Sequence, residues 1–185
     1  MIEDALADAE KRMQRTVEAL QRELAAIRSG HARPSLVDHV KVEYYGSTLP
    51  LNQLATVSAP EARLLTIQPW DRQALSAIEK AIQKSDLGLN PSNDGHIIRL
   101  AIPPLTEDRR KELVRMVHKK VEESRVAVRN VRRDSLEHLR HLQRDEHVSE
   151  DDERRAQERL QKQTDRHIGE VERLGQEKEA ELMEV

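Results

Sequence analysis

Apolar residues recur at helical spacing in three long stretches of the chain. In the first, Ile2, Leu6, Ala9, Met13, Val17, Leu20, Leu24 and Ile27 alternate at intervals of three and four, which predicts one amphipathic helix of about 40 Å at roughly 1.5 Å per residue. Ser29-Gly30 and then Pro34 end it. In the second, Val114, Val117, Val121, Ser124, Val128, Val131, Ser135 and Leu142 fall on one face of a helix that opens after Pro104 and runs to about Arg144. Thr106 is its expected N-cap, with Glu107 and Asp108 in the first turn. In the third, which begins after Ser149 on a Ser-Glu-Asp-Asp capping pattern, Ala156, Leu160, Thr164, Ile168, Val171 and Leu174 point inward, and the end fades into a charged tail. A helix with a single apolar stripe cannot bury that stripe alone. Three of them satisfy one another as a three-helix bundle.

Between Leu36 and Ile102 the period changes. Val40, Val42 and Tyr44 alternate with Lys41, Glu43 and Tyr45, as in a strand, and Gly46-Ser47 is read as the turn after it. Residues 49–58 offer a second extended piece and residues 63–68 a third. Asp71 caps a short helix whose buried face is Ala74, Leu75, Ile78, Ala81 and Ile82. Residues 86–95 read as turn chemistry, and residues 96–102 as a last strand. Trp70 and Tyr44 are expected in the core of this small mixed module. It must be inserted between the first two long helices, on a two-strand tether near Gly30 to Pro34 and Ile102 to Leu105. Such a tether is a natural hinge.

Charge then adds a direction. The net charge is only −3, but the second helix carries an excess of basic residues and the third an excess of acidic ones. Arg125, Arg129, Arg132, Arg133 and Arg140 gather on an arc beside the apolar face. Two readings stand at this point. The arc is either a solvated face balanced by Glu122, Glu123, Asp134 and Glu137, or a phosphate-binding strip suited to the planar arginine fork. With one tryptophan, two tyrosines and no phenylalanine, the chain has few platforms for stacking bases, so an RNA partner would be held by shape and phosphate contact.

Candidate chemistry is thin elsewhere. The chain lacks cysteine, P-loop, dinucleotide and nucleophile-elbow motifs, and His138 and His141 share a helix face without an acidic third ligand. No catalytic residue, metal or cofactor is assigned. No apolar run has a membrane-spanning length and the first residues do not resemble a presequence, so the expected location is the cytoplasm.

Several strings in order carry a resemblance: IRSG at 27–30, VEYYG at 42–46, PLNQLA at 50–55, IEKAIQKSDLGLNP at 78–91, PPLTEDRRKEL at 103–113, VAVRNVRRD at 126–134, SEDD at 149–152 and KEAELM at 178–183. Together they are similar to the bacterial ribosome recycling factor family, over practically the whole chain. The resemblance implies an α+β protein, L-shaped, in which an elongated antiparallel three-helix bundle (residues 1–30 and 105–185) carries an inserted β/α/β domain (residues 31–104) on a two-strand hinge. It implies a translation factor without catalysis that binds the post-termination ribosome and, with elongation factor G and GTP, separates the subunits. Its implied partners are the large ribosomal subunit with its ribosomal RNA, and elongation factor G.

The resemblance also assigns residues. Arg28, Arg129, Arg132 and Arg133 take the places of ribosomal RNA contacts, with Arg125 beside them in the stripe. Gly30, Arg33, Pro34, Pro103, Pro104 and Leu105 form the hinge. Two departures are His31, where the family commonly has arginine, and Ser47 to Pro50, taken as the tip of the first hairpin. Because three internally buried stripes leave none over, a monomer is expected. The competing readings are a dimerising helical scaffold and a factor that occupies the ribosome to block it.

Overall fold

The computed structural model describes residues 1–145 and 148–184. The chain divides into two compact units, Met1–Arg28 with Thr106–Val185, and Ser29–Leu105.

The first unit is built from α1 (Ile2–Ala25), α3 (Glu107–Asp145) and α4 (Glu150–Met183), numbered along the whole chain with α2 in the other unit. Cross-helix pairs fix their directions. Arg12 meets Asp134 and Lys120 meets Glu23, so α1 and α3 are antiparallel. Arg159 meets Glu3 and Arg166 meets Glu10, so α1 and α4 run in parallel. Caps follow the expected chemistry: the Thr106 hydroxyl accepts from Arg109 N–H at 3.1 Å, and the Ser149 hydroxyl accepts from Asp152 N–H at 3.1 Å.

Every residue of the first predicted stripe from Leu6 to Ile27 is buried, and Ile2 is half-buried. The seam of α3 enters at Leu113, one position before the expected Val114, and includes Leu139, which the pattern omitted. The seam of α4 differs more. Ile168 and Leu174 are only half-buried, whereas His167, Gly175, Lys178 and Leu182 are buried, and the helix continues through the stretch read as a tail. Hydropathy missed His167 and Lys178 because both are polar types. Their burial rests on local partners: His167, 1% exposed, holds Nε2 3.1 Å from Glu10, and Lys178 lies 3.4 Å from Glu181.

Helices α3 and α4 approach each other closely at Gly175. A Cβ there would stand 2.5 Å from Cγ2 of Val121, a β-branched side chain with little freedom to move aside, whereas a Cβ at Gly169 in the same helix would meet nothing within 4 Å.

In the second unit, β1 (Lys41–Tyr44) and β2 (Ser47–Pro50) form a hairpin, and β3 (Ala55–Glu61), β4 (Leu64–Pro69), β5 (Pro91–Asn93) and β6 (Ile98–Ala101) form an antiparallel sheet of order β3-β4-β6-β5. Helix α2 (Leu75–Lys84) sends Ile78 and Ile82 into a core shared with Val37, Val42, Leu65, Ile67, Ile98 and Leu100.

Four expectations are corrected in this unit. The hairpin turns at Tyr45-Gly46, because Tyr44 pairs with Ser47 and the two residues between have φ of 48° and 79°. Residues 47–50 are therefore a paired strand, not a tip. The extended piece 49–58 is broken by a 3-10 turn at Leu51–Gln53, which lets the chain leave the hairpin for the sheet. Pro91–Asn93, read as turn, is a short edge strand, the position where a proline lacking a ladder donor is tolerated.

Trp70 is the fourth correction, at 66% exposed. Leu65, Ile67 and Pro69 take the inward parity of β4, so Trp70 falls on the other side, and its indole N–H donates to the Thr56 hydroxyl at 2.8 Å. Tyr44 is half-buried against the core, and its hydroxyl donates to Asp71 at 2.6 Å. Asp71 also accepts from Gln73 N–H at 3.0 Å as the cap of the 3-10 turn Arg72–Ala74 leading into α2.

The two glycines of α4 give opposite expectations. Gly169→Ala should stabilise by up to about 1 kcal/mol through helix propensity alone. Gly175→Ala gains the same propensity but overpacks against Val121, at a cost of about 1–3 kcal/mol, so it should lower the urea midpoint. Equal stabilisation by both would contradict the close approach.

Titration tests the Tyr44–Asp71 pair. The hydrogen bond to Asp71, then burial, pushes the Tyr44 phenol up to about 12, and the same bond, followed by the Gln73 amide, holds Asp71 below the usual carboxylate range. The depressed Asp71 contributes stability that is present above that range and lost as pH falls through its folded value; the raised Tyr44 contributes stability present below the ordinary phenol value and lost as pH rises through about 12. Tyr44→Phe should raise the Asp71 carboxyl midpoint in an NMR titration, and an unmoved midpoint would refute the pairing.

Candidate nucleic-acid interface

Burial of the α3 seam sets the direction of everything else on that helix. Val121, Ser124, Val128, Val131 and Ser135 face inward, so the adjoining arc must face outward or along the flank shared with α4. The five arginines of the stripe divide between those two positions.

Arg125 and Arg132 take the flank. Arg125 is half-buried and donates from Nη1 to Glu122 at 2.8 Å and from Nε to Glu172 of α4 at 3.3 Å. The hydrogen bond to Glu122, with the charge of Glu172, raises its pKa above the ordinary arginine value against the opposing effect of burial. Its charge is already matched within the protein. Arg132 donates from Nε to the Gln161 side chain at 2.9 Å, which orients the guanidinium without neutralising it.

Arg129, Arg133 and Arg140 take the outward position. All three are exposed, and none has a hydrogen bond or ion pair among the described residues. The balance offered by nearby carboxylates is realised only in part: Glu122 is engaged by Arg125, and Asp134 is drawn to Arg12 of α1 on the opposite flank at 3.1 Å. The outward arginines therefore carry charge that no ion pair among the described residues takes up.

Arg28 is exposed three residues beyond α1. The antiparallel register that brings Glu23 to Lys120 puts it at the end of the bundle where α3 begins. The first-helix and second-helix arginines thus lie apart along the bundle. Arg115, Lys119 and Arg144 share the outward spacing of Arg129 but lie outside the dense RNVRR run that marks the stripe in the sequence.

The residues expected at the hinge are also well defined. Gly30 has a φ of 76°, and a Cβ on it would stand 3.1 Å from Leu105 Cγ and 3.2 Å from Leu105 N. Both tether segments are tied to the β3–β4 turn: Ala32 N–H donates to Ala62 C=O at 2.7 Å, and Ile102 N–H donates to Arg63 C=O at 2.8 Å. Arg33 is extended, as the following proline requires, and Pro34 opens the 3-10 turn Pro34–Val37. His31 stands 3.2 Å from the Ser29 hydroxyl through Nδ1. Pro103 and Pro104 are exposed and bring no backbone donor.

His138 is exposed and His141 pairs with Asp145 at 2.8 Å. Among the described residues no group of three or more histidines and carboxylates could hold a metal ion, and no helix is long and apolar enough to cross a membrane.

Comparison with known proteins meets this arrangement over its full length. The family model described as ribosome recycling factor matches residues 20–183. The chain belongs to the ribosome recycling factor family. It is 56% identical over 185 residues to the ribosome-recycling factor of Thermomicrobium roseum and 55% identical over 185 residues to that of Syntrophomonas wolfei, covering 100% of each protein in both cases. A solution structure of ribosome recycling factor, 50% identical, matches with a TM-score of 0.79 over 100% of this chain and 98% of its own. A second, 49% identical, matches with a TM-score of 0.66 over 100% of both; it represents the T. thermophilus ribosome recycling factor and E. coli elongation factor G bound to the E. coli post-termination complex. The chain is accordingly a non-catalytic translation factor of ribosome recycling.

Proposed function

We propose that this factor binds the post-termination ribosome in the cytoplasm as a monomer and, with elongation factor G and GTP, separates the subunits. The bundle anchors to ribosomal RNA of the large subunit through Arg28, Arg129, Arg132 and Arg133. Arg125, in the same stripe, acts as the clamp between α3 and α4. The observation that carries this reading is the uncompensated charge of Arg129 and Arg133 beside an Arg132 oriented by Gln161. A relative that represents ribosome recycling factor with elongation factor G on the post-termination complex supports the choice of partners.

The chain has no phosphate-cradling motif, so the free energy for splitting comes from the GTP of the partner. In this reading the unit Ser29–Leu105 is the part that is moved, and the bundle is the part that is held. The bending points are the short stretches between the fixed bonds of the module and the helices: Ser29 to His31 on one side, and Pro103 to Leu105 on the other. Arg33 and Pro34 set the direction of the first stretch as it enters the module.

Arg129→Ala with Arg132→Ala should weaken co-pelleting with ribosomes and abolish splitting by elongation factor G and GTP. Each lost phosphate contact should flatten the log–log salt dependence by about 0.7 to 0.9. Wild-type pelleting, slope and splitting in the double variant would overturn the assignment of the anchor.

A further inference from the structure

The outward arc of α3 continues well beyond its central arginines. At about 100° per residue, Arg115, Lys119, Arg129, Arg133, Arg140 and Arg144 all fall within roughly 80° of one another around the helix axis. Each is exposed, and none has a hydrogen bond or ion pair among the described residues. The other basic residues of the helix behave differently. Arg109, Lys111, Lys120 and Arg125 are paired with Glu112, Glu107, Glu23 and Glu122, Arg132 is held by Gln161, and Arg110 lies round the helix toward the seam.

The six come as three pairs at i and i+4: Arg115 with Lys119, Arg129 with Arg133, and Arg140 with Arg144. Like charges at that spacing are neighbours on a helix and oppose each other. No ion pair among the described residues relieves this repulsion; of the carboxylates on the arc, Glu122 is committed to Arg125, and Glu137, four residues after Arg133 and three before Arg140, lies between the second and third pairs. A row of unpaired cations about 44 Å long, at roughly 1.5 Å per residue, suits an extended chain of anions.

We propose that the anion-binding site of this factor is the whole length of α3, and that the Arg115–Lys119 and Arg140–Arg144 pairs bind the phosphodiester backbone of RNA on either side of the central pair. This rests on the reading of the bundle as the RNA anchor and enlarges its footprint. Five of the six are arginines, whose forked guanidinium suits a phosphate better than a single carboxylate rim would require. The first pair also lies toward the end of the bundle where Arg28 sits.

The test uses the full chain, purified large ribosomal subunits and a potassium chloride series. Four double variants are compared: Arg115→Gln with Lys119→Gln, Arg129→Gln with Arg133→Gln, Arg140→Gln with Arg144→Gln, and a control, Arg154→Gln with Arg155→Gln. The control removes the same charge from α4, where the two arginines already pair with Asp151 and Asp152. Each pair on α3 should flatten the log–log slope by about 1.4 to 1.8, twice the increment for one phosphate, whereas the control should barely move it. Melting temperatures should hold or rise, since only repulsion is removed. If both outer pairs behave like the control while the central pair flattens the slope, the extended track is wrong and the anchor reading survives. If the central pair also behaves like the control, both fall together.

Discussion

The mutual burial of three apolar seams is the constraint on which the bundle depends. Helices α1, α3 and α4 each carry one stripe, and each stripe finds its cover on the other two, from Leu6, Met13 and Leu20 to Val128 and Leu139 to Leu160 and Val171. The ion pairs that cross between helices, such as Arg12 with Asp134 and Arg159 with Glu3, are exposed and screened by solvent, and are too weak to choose the packing. They record the register instead. Once the seam of α3 is inward, its rotation is fixed, and the cationic arc has only the α4 flank and solvent to face. Gly175 belongs to the same constraint, because any side chain there would force α3 and α4 apart at Val121.

That rotation sorts arginines which look equivalent as letters in a string. Arg125 is drawn into a carboxylate pair that spans two helices, Arg132 is oriented by an amide, and Arg129 and Arg133 are left with uncompensated charge. In the proposed reading a phosphate chain gains most from the last group, which is ordered by its helix yet has no ion pair among the described residues. The family supplies the task, ribosome recycling, and the structure supplies a physical reason for which arginines could serve it.

Much of this was legible beforehand, since periods of 3.6 and 2 follow directly from where Cβ atoms point. The stripe of α1, the caps Thr106, Ser149 and Asp71, and the α2 face were readable for that reason. What escaped had other physical origins. His167 and Lys178 are buried because Glu10 and Glu181 accompany them, which hydropathy does not encode. Trp70 is exposed because strand parity outweighs residue type. Pro91–Asn93 became a strand only because β6 offers an edge to pair with. In the candidate site, the crowded RNVRR run hid the wider spacing of Arg115, Lys119 and Arg144, although the same helical arithmetic applies to them.

The proposed mechanism is mechanical: a bundle held on RNA, and a second unit displaced through two short tethers. Gly30, which leaves little room for a Cβ beside Leu105, and the consecutive prolines 103 and 104 restrict those tethers, while the bonds from Ala32 and Ile102 to the β3–β4 turn tie both tethers to the module. Replacing Pro103 and Pro104 together by glycine loosens one tether without touching a cation of α3. The decisive measurement is subunit splitting by light scattering with elongation factor G and GTP, read beside ribosome affinity for the same variant. The account predicts affinity within a few-fold of wild type and splitting largely lost; splitting at the wild-type rate would contradict it.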